Sequence, residues 1–105
     1  MKIKLNQSEM AALEEELLKV LNEPISALVP TNLVYNMLLQ SVLKKTCIKI
    51  AKALVDVKKK YLIEFEPAFA FAFILSFKNR KFDPINFNDN VIALLYNAFQ
   101  KEYYV

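Results

Sequence analysis

Two short stretches carry acidic or thiol side chains that could do chemistry. In "YLIEFE", Glu64 and Glu66 alternate with apolar residues. On a strand they share one face, roughly 7 Å apart. Two carboxylates at that spacing can serve as acid and base in glycoside hydrolysis or hold a hard cation. Neither chemistry has its companions: no third carboxylate stands close by in sequence, and the chain has no Gly to shape a cation-binding turn. Lys2 and Lys4 alternate with Ile3 and Leu5 in the same way, and they are the expected ion-pair partners of Glu64 and Glu66.

The second is Cys47. A nucleophilic thiolate needs a neighbouring base or cation. The chain has no His, and helical phase puts Cys47 beside Leu43 and Ile50, away from the nearby lysines. It is therefore expected to be a buried structural thiol. The run Glu14-Glu15-Glu16 is expected to be a solvated helix surface. No residue is assigned a catalytic, cofactor-binding or metal role, and the chain is expected not to be an enzyme. The absences agree. Without Gly no phosphate-cradling loop or EF-hand turn can form. Without His the commonest general base is missing. One Cys can make neither an internal disulfide nor a C-x-x-C metal site.

Charge is unevenly placed. Residues 31–60 hold seven Lys and one Asp, net +6, whereas residues 1–30 carry −2 and residues 61–105 carry −1. At 100° per residue, Ser41, Lys45, Lys49, Lys52, Asp56 and Lys59 share one stripe, with Leu43, Cys47, Ile50, Leu54 and Val57 opposite. A Lys stripe can follow a phosphate backbone or an acidic protein. Arg does most bidentate base reading, and this chain has a single Arg, at position 80. The net charge of +3 is modest for a nucleic-acid binder. A solvated face whose stems cover apolar surface is the first reading. Lys45, Lys49, Lys52 and Lys59 mark the face that an acidic protein partner or, less readily, a nucleic acid would use.

The elements that position these residues follow from periodicity and punctuation. "KIKL" at Lys2 to Leu5 alternates as a strand. Asn6 and Glu9 have capping-box spacing, which opens a helix to Leu21. On it Met10, Leu13, Leu17 and Leu21 form a stripe broadened by Leu18 and Val20. Asn22 is expected as a left-handed cap. "EPISALVPT" connects, packed down, with Thr31 as the next cap. From Asn32 one helical phase persists to about Lys59.

"YLIEFEPAFAFAFILSF" then poses a choice between one long strand and a strand that becomes a helix. Pro67 suits a first helical position, Ala favours helix over strand, and Phe69, Phe73 and Phe77 fall four apart. The pattern predicts a strand over 61–66 and then a helix from 67 capped at Asn79. A last helix starts at Asn86 or Asn88 and runs to about Lys101, with Val91, Leu94, Leu95, Ala98 and Phe99 inward.

The stretches 2–17 and 62–77 thus form a weak internal repeat of strand then helix, and their two strands are expected to pair. The fold class is a small, mainly α (α+β) single domain of about four helices with a minor two-stranded ribbon. Phe69, Phe71, Leu75, Tyr103 and Tyr104 mark a self-association face, so a homodimer is expected. The longest uncharged apolar run, Pro67 to Phe77, is eleven residues, where a membrane span needs about 20. Lysines interrupt the apolar start, unlike a signal peptide. A reducing cytosol is the expected setting, and the Lys/Asn-rich, Gly-free composition suits a mobile-element or phage accessory protein.

Overall fold

The computed structural model describes residues 1–22 and 30–103, with the backbone only for 30–33. The expected connection over 23–29 and the proposed contact residue Tyr104 lie outside these. Six elements follow one another: β1 (Lys2–Leu5), α1 (Gln7–Leu21), α2 (Pro30–Leu54), β2 (Tyr61–Glu64), α3 (Pro67–Phe77) and α4 (Phe87–Tyr103). The mainly helical fold with a two-stranded ribbon is the one the sequence predicts.

β1 and β2 pair antiparallel with Lys2 opposite Glu64, Ile3 opposite Ile63, Lys4 opposite Leu62 and Leu5 opposite Tyr61. Leu5, Tyr61 and Ile63 are buried, so one face of the ribbon closes the core. Such a ribbon is marginal alone and needs helices beneath it. In those helices α1 packs on α2 and α4, and α3 packs on the same two.

α1 begins as predicted. The Asn6 side chain accepts the Glu9 amide at 2.8 Å, and the Glu9 carboxylate accepts the Asn6 amide at 2.8 Å. Two orphan donors are thereby satisfied, so Asn6→Ala is expected to cost about 1 kcal/mol, read as a shift in the urea midpoint without a change in slope. At its other end Asn22 adopts φ −88°, ψ −6°. That is a right-handed conformation, correcting the expected left-handed cap. Among the described residues no non-Gly residue has positive φ.

α2 starts at Pro30, so Thr31 lies within its first turn rather than capping it. It also stops at Leu54, short of the expected Lys59. The Val55 and Asp56 amides bond the Lys52 and Ala53 carbonyls at 3.4 and 3.3 Å, tight closing turns that end the i→i−4 ladder. The Tyr61 hydroxyl then holds the connection, donating to the Asp56 carbonyl at 2.9 Å and accepting the Lys58 amide at 3.0 Å. Val57 consequently faces solvent instead of the core.

Pro67 is the first residue of α3, after an extended Glu66 at φ −71°, ψ 150°. The helix ends at Phe77 and is capped at Lys78, one residue before the expected Asn79. Its phenylalanines separate by face. Phe69, Phe73 and Phe77 are buried, and Phe99 of α4 meets Phe65, Phe69 and Phe73 edge-on at 5.3–5.9 Å between ring centres. The Asn86 side chain caps α4, accepting the Asp89 amide at 3.0 Å. Inward positions of α4 are Val91, Ile92, Leu95 and Phe99. Leu94, expected inside, is exposed because the buried stripe is turned toward Ile92.

Candidate functional site

Three surfaces hold the residues singled out in the sequence, and beside them lie an apolar face of α2 and a cluster around Glu16 that was not foreseen. The Lys face comes first. Lys45, Lys49 and Lys52 line one groove with Thr46, Ile48, Glu64 and Glu66. Lys59 does not join them: the early end of α2 leaves it by Asn6, Gln7 and Ser8. Two of the three lysines already have work within the fold. Lys49 Nζ donates to the Glu64 carbonyl at 2.9 Å, and Lys45 Nζ lies 3.9 Å from Glu66. With two carboxylates in the same groove, its potential is far weaker than the lysine count suggests. Reversing Lys45, Lys49 and Lys52 to Glu is therefore expected to change duplex-DNA affinity less than twofold in anisotropy titrations, with no change in salt slope. A fall in slope of about one per phosphate contact would reveal a nucleic-acid face.

Glu64 and Glu66 do not meet Lys2 and Lys4 as expected. Lys2 stands opposite Glu64, but the Glu64 carboxylate takes the Met1 amino group at 3.3 Å. Glu66 runs past the end of the ribbon, and Leu62 occupies the place across from Lys4. Among the described residues no group of three His, Cys, Asp or Glu is placed to hold a metal ion. Likewise, no described helix is long and apolar enough to cross a membrane. Cys47 is buried between α1 and α2, and burial raises its pKa, assisted by Glu14.

The proposed aromatic face is split. Phe69 is 1% exposed and belongs to the core, stacked on Phe65 at 5.3 Å. The reason is helical phase, since Phe69 shares its face with Phe73 and Phe77. Phe71 is 42% exposed and leans on Tyr103 at 5.5 Å, with Leu75 half-buried on the same helix.

A broader apolar surface lies on α2. Pro30 to Leu43 contains no charged residue. Val34, Met37 and Leu38 on this half are 64, 54 and 62% exposed. They continue into a groove of about 610 Å³ between α1 and α2, lined by Leu18, Leu21, Met37 and Ile48 and rimmed by Asn22, Gln40 and Lys44. The first half of α2 mixes Thr31, Asn32, Asn36, Gln40 and Ser41 with apolar residues and has no charge, so periodicity alone does not mark its outer face.

The unforeseen cluster centres on Glu16, whose side chain is 1% exposed. Glu16 Oε2 accepts from Lys19 Nζ at 2.9 Å and from Asn88 Nδ2 at 3.0 Å. Its other oxygen forms an ion pair with Arg80, which also donates to Asp89. Asp89 in turn accepts the Asp83 amide at 2.9 Å. One guanidinium thus ties α1, α4 and the connection before α4 into a single joint. Burial pushes the Glu16 pKa up, but the bonds from Asn88, Lys19 and Arg80 outweigh it and leave the carboxyl below its ordinary 4.5. The joint consumes its own charges and is structural. Its signal was the single Arg in a chain that otherwise uses Lys, because the weakly hydrated guanidinium suits a buried ion pair better than an ammonium does.

Set beside protein-family models, curated proteins and solved structures, the chain matches none of them.

Proposed function

We propose that this chain is a non-enzymatic interaction protein that self-associates as a homodimer through the outer face of the first half of α2. The observation that carries this reading is the uncharged, exposed run of Val34, Met37 and Leu38, continuous with the groove beside Leu18 and Ile48. Contiguous exposed apolar surface of this kind marks interaction sites. A twofold interface must be complementary to itself. An uncharged helix half meets that condition, whereas the Lys-bearing second half would repel its own copy. Phe71, Leu75 and Tyr103 offer a smaller face for the same purpose. A cytosolic accessory role, including one in a mobile element, is compatible with the composition.

The test is Val34→Glu with Leu38→Glu, followed by sedimentation velocity. Both sites are exposed, so the monomer should keep its helical spectrum and lose less than about 0.5 kcal/mol of stability. Each copy loses two buried apolar contacts and gains facing charges. Dimer dissociation is expected to rise at least about 100-fold. Unchanged sedimentation of a folded double variant rules the face out.

A further inference from the structure

Each strand of the ribbon turns one backbone edge outward, and the two edges differ in the charge they carry. Met1 and Phe65 exchange both backbone bonds, Phe65 N to Met1 O at 2.8 Å and Met1 N to Phe65 O at 3.1 Å. In an antiparallel pair such exchange alternates along the strands. Ile3 and Leu5 therefore bond inward to Ile63 and Tyr61, and the backbone groups of Lys2 and Lys4 point away from β2. The same phase turns the Glu64 carbonyl outward on β2, where Lys49 Nζ takes it at 2.9 Å. Among the described residues no side chain serves β1 in this way. Among the described residues the outward N–H and C=O groups of Lys2 and Lys4 have no hydrogen-bond partner. Buried backbone groups are almost always paired, and both lysines are exposed, so this edge faces solvent. Ile3, between them on the core side, is only partly buried.

We infer that β1 is a docking edge for an extended acidic peptide, which adds as a third strand with Glu or Asp beside Lys2 and Lys4 and an apolar residue over Ile3. Strand addition supplies main-chain affinity, and alternate side chains supply selectivity. Charge decides the occupant. A second β1 cannot serve, because every register that keeps Ile3 and Leu5 on the core side sets Lys against Lys, which is unfavourable. An acidic strand would bring Lys2 and Lys4 the carboxylates that β2 does not, since Glu64 pairs with the Met1 amino group and Leu62 stands across from Lys4.

The probe is a labelled five-residue peptide, acetyl-Glu-Val-Glu-Ile-Glu-amide, titrated by anisotropy at low salt against the full chain, with backbone amide shifts recorded by NMR. Saturable binding with the largest shifts at Lys2 and Lys4 is expected. A Lys-Val-Lys-Ile-Lys peptide should bind at least about tenfold more weakly, two cross-strand pairs being changed from attractive to repulsive. A proline at the central position should abolish the shifts. The variant with Lys2→Glu and Lys4→Glu, its fold verified by circular dichroism, should reverse the preference. Three results overturn the inference: no saturation, shifts confined to Lys45, Lys49 and Lys52, or equal binding of the proline peptide. The last two would mean that charge alone, without strand pairing, attracts the acidic ligand.

Discussion

Arg80→Ala is expected to lower the unfolding free energy by about 3 kcal/mol. Breaking a buried ion pair by removing one partner typically costs about 3–5 kcal/mol, since the other charge stays buried and uncompensated. The low end applies because Arg80 is itself 30% exposed and because Lys19 and Asn88 still serve Glu16. Two carboxylates, Glu16 and Asp89, lose their shared guanidinium at once. For a domain of this size the midpoint temperature should fall by more than about 10 °C. Replacing Glu16 and Arg80 together with apolar residues of similar volume should recover part of the loss, since Asp89 alone is then left without the guanidinium and it keeps the Asp83 amide. A single-variant loss below about 0.5 kcal/mol would show that the joint contributes little.

The same joint sets an acid limit. The folded pKa of Glu16 lies below its unfolded value, so the unfolded chain takes up a proton first as pH falls. The stabilisation is fully present above about pH 4.5 and is lost progressively as pH drops through the lower folded value. Glu16→Gln should flatten that part of the stability profile, measured as urea midpoint against pH.

Phe99→Ala is expected to be the most damaging single truncation, at about 3–5 kcal/mol. Its ring is fully buried and stands edge-on to Phe65, Phe69 and Phe73. It therefore loses both its transfer free energy and the aromatic geometry that adds about 0.5–1.5 kcal/mol per pair. Total stabilities are about 5–15 kcal/mol, so the variant should sit near the edge of folding. Leu94→Ala, on the outer side of the same helix, should cost less than about 0.5 kcal/mol. Similar losses for the two would contradict the observed rotation of α4.

How far the sequence could be read depended on how local the deciding physics was. Asn6 with Glu9 and Pro67 with its alanines act within one turn of chain, and both helix starts fall where they predict. The pairing of β1 with β2 was legible because Ile3, Leu5, Ile63 and Phe65 alternate in one phase. The register was not, so Glu66 lost its expected partner and found Lys45. Glu16 looked like its neighbours Glu14 and Glu15, because its partner Arg80 comes from a distant part of the chain and only the fold brings them together. The connection after α2 is likewise held by the Tyr61 hydroxyl, a contact across a turn that helical periodicity cannot register.

Self-association through α2 is the central functional claim, and the mass of the unmodified protein in solution tests it most directly. Light scattering over a rising concentration series should move from the 12.2 kDa of one chain toward twice that value. A constant 12.2 kDa at every concentration would contradict it.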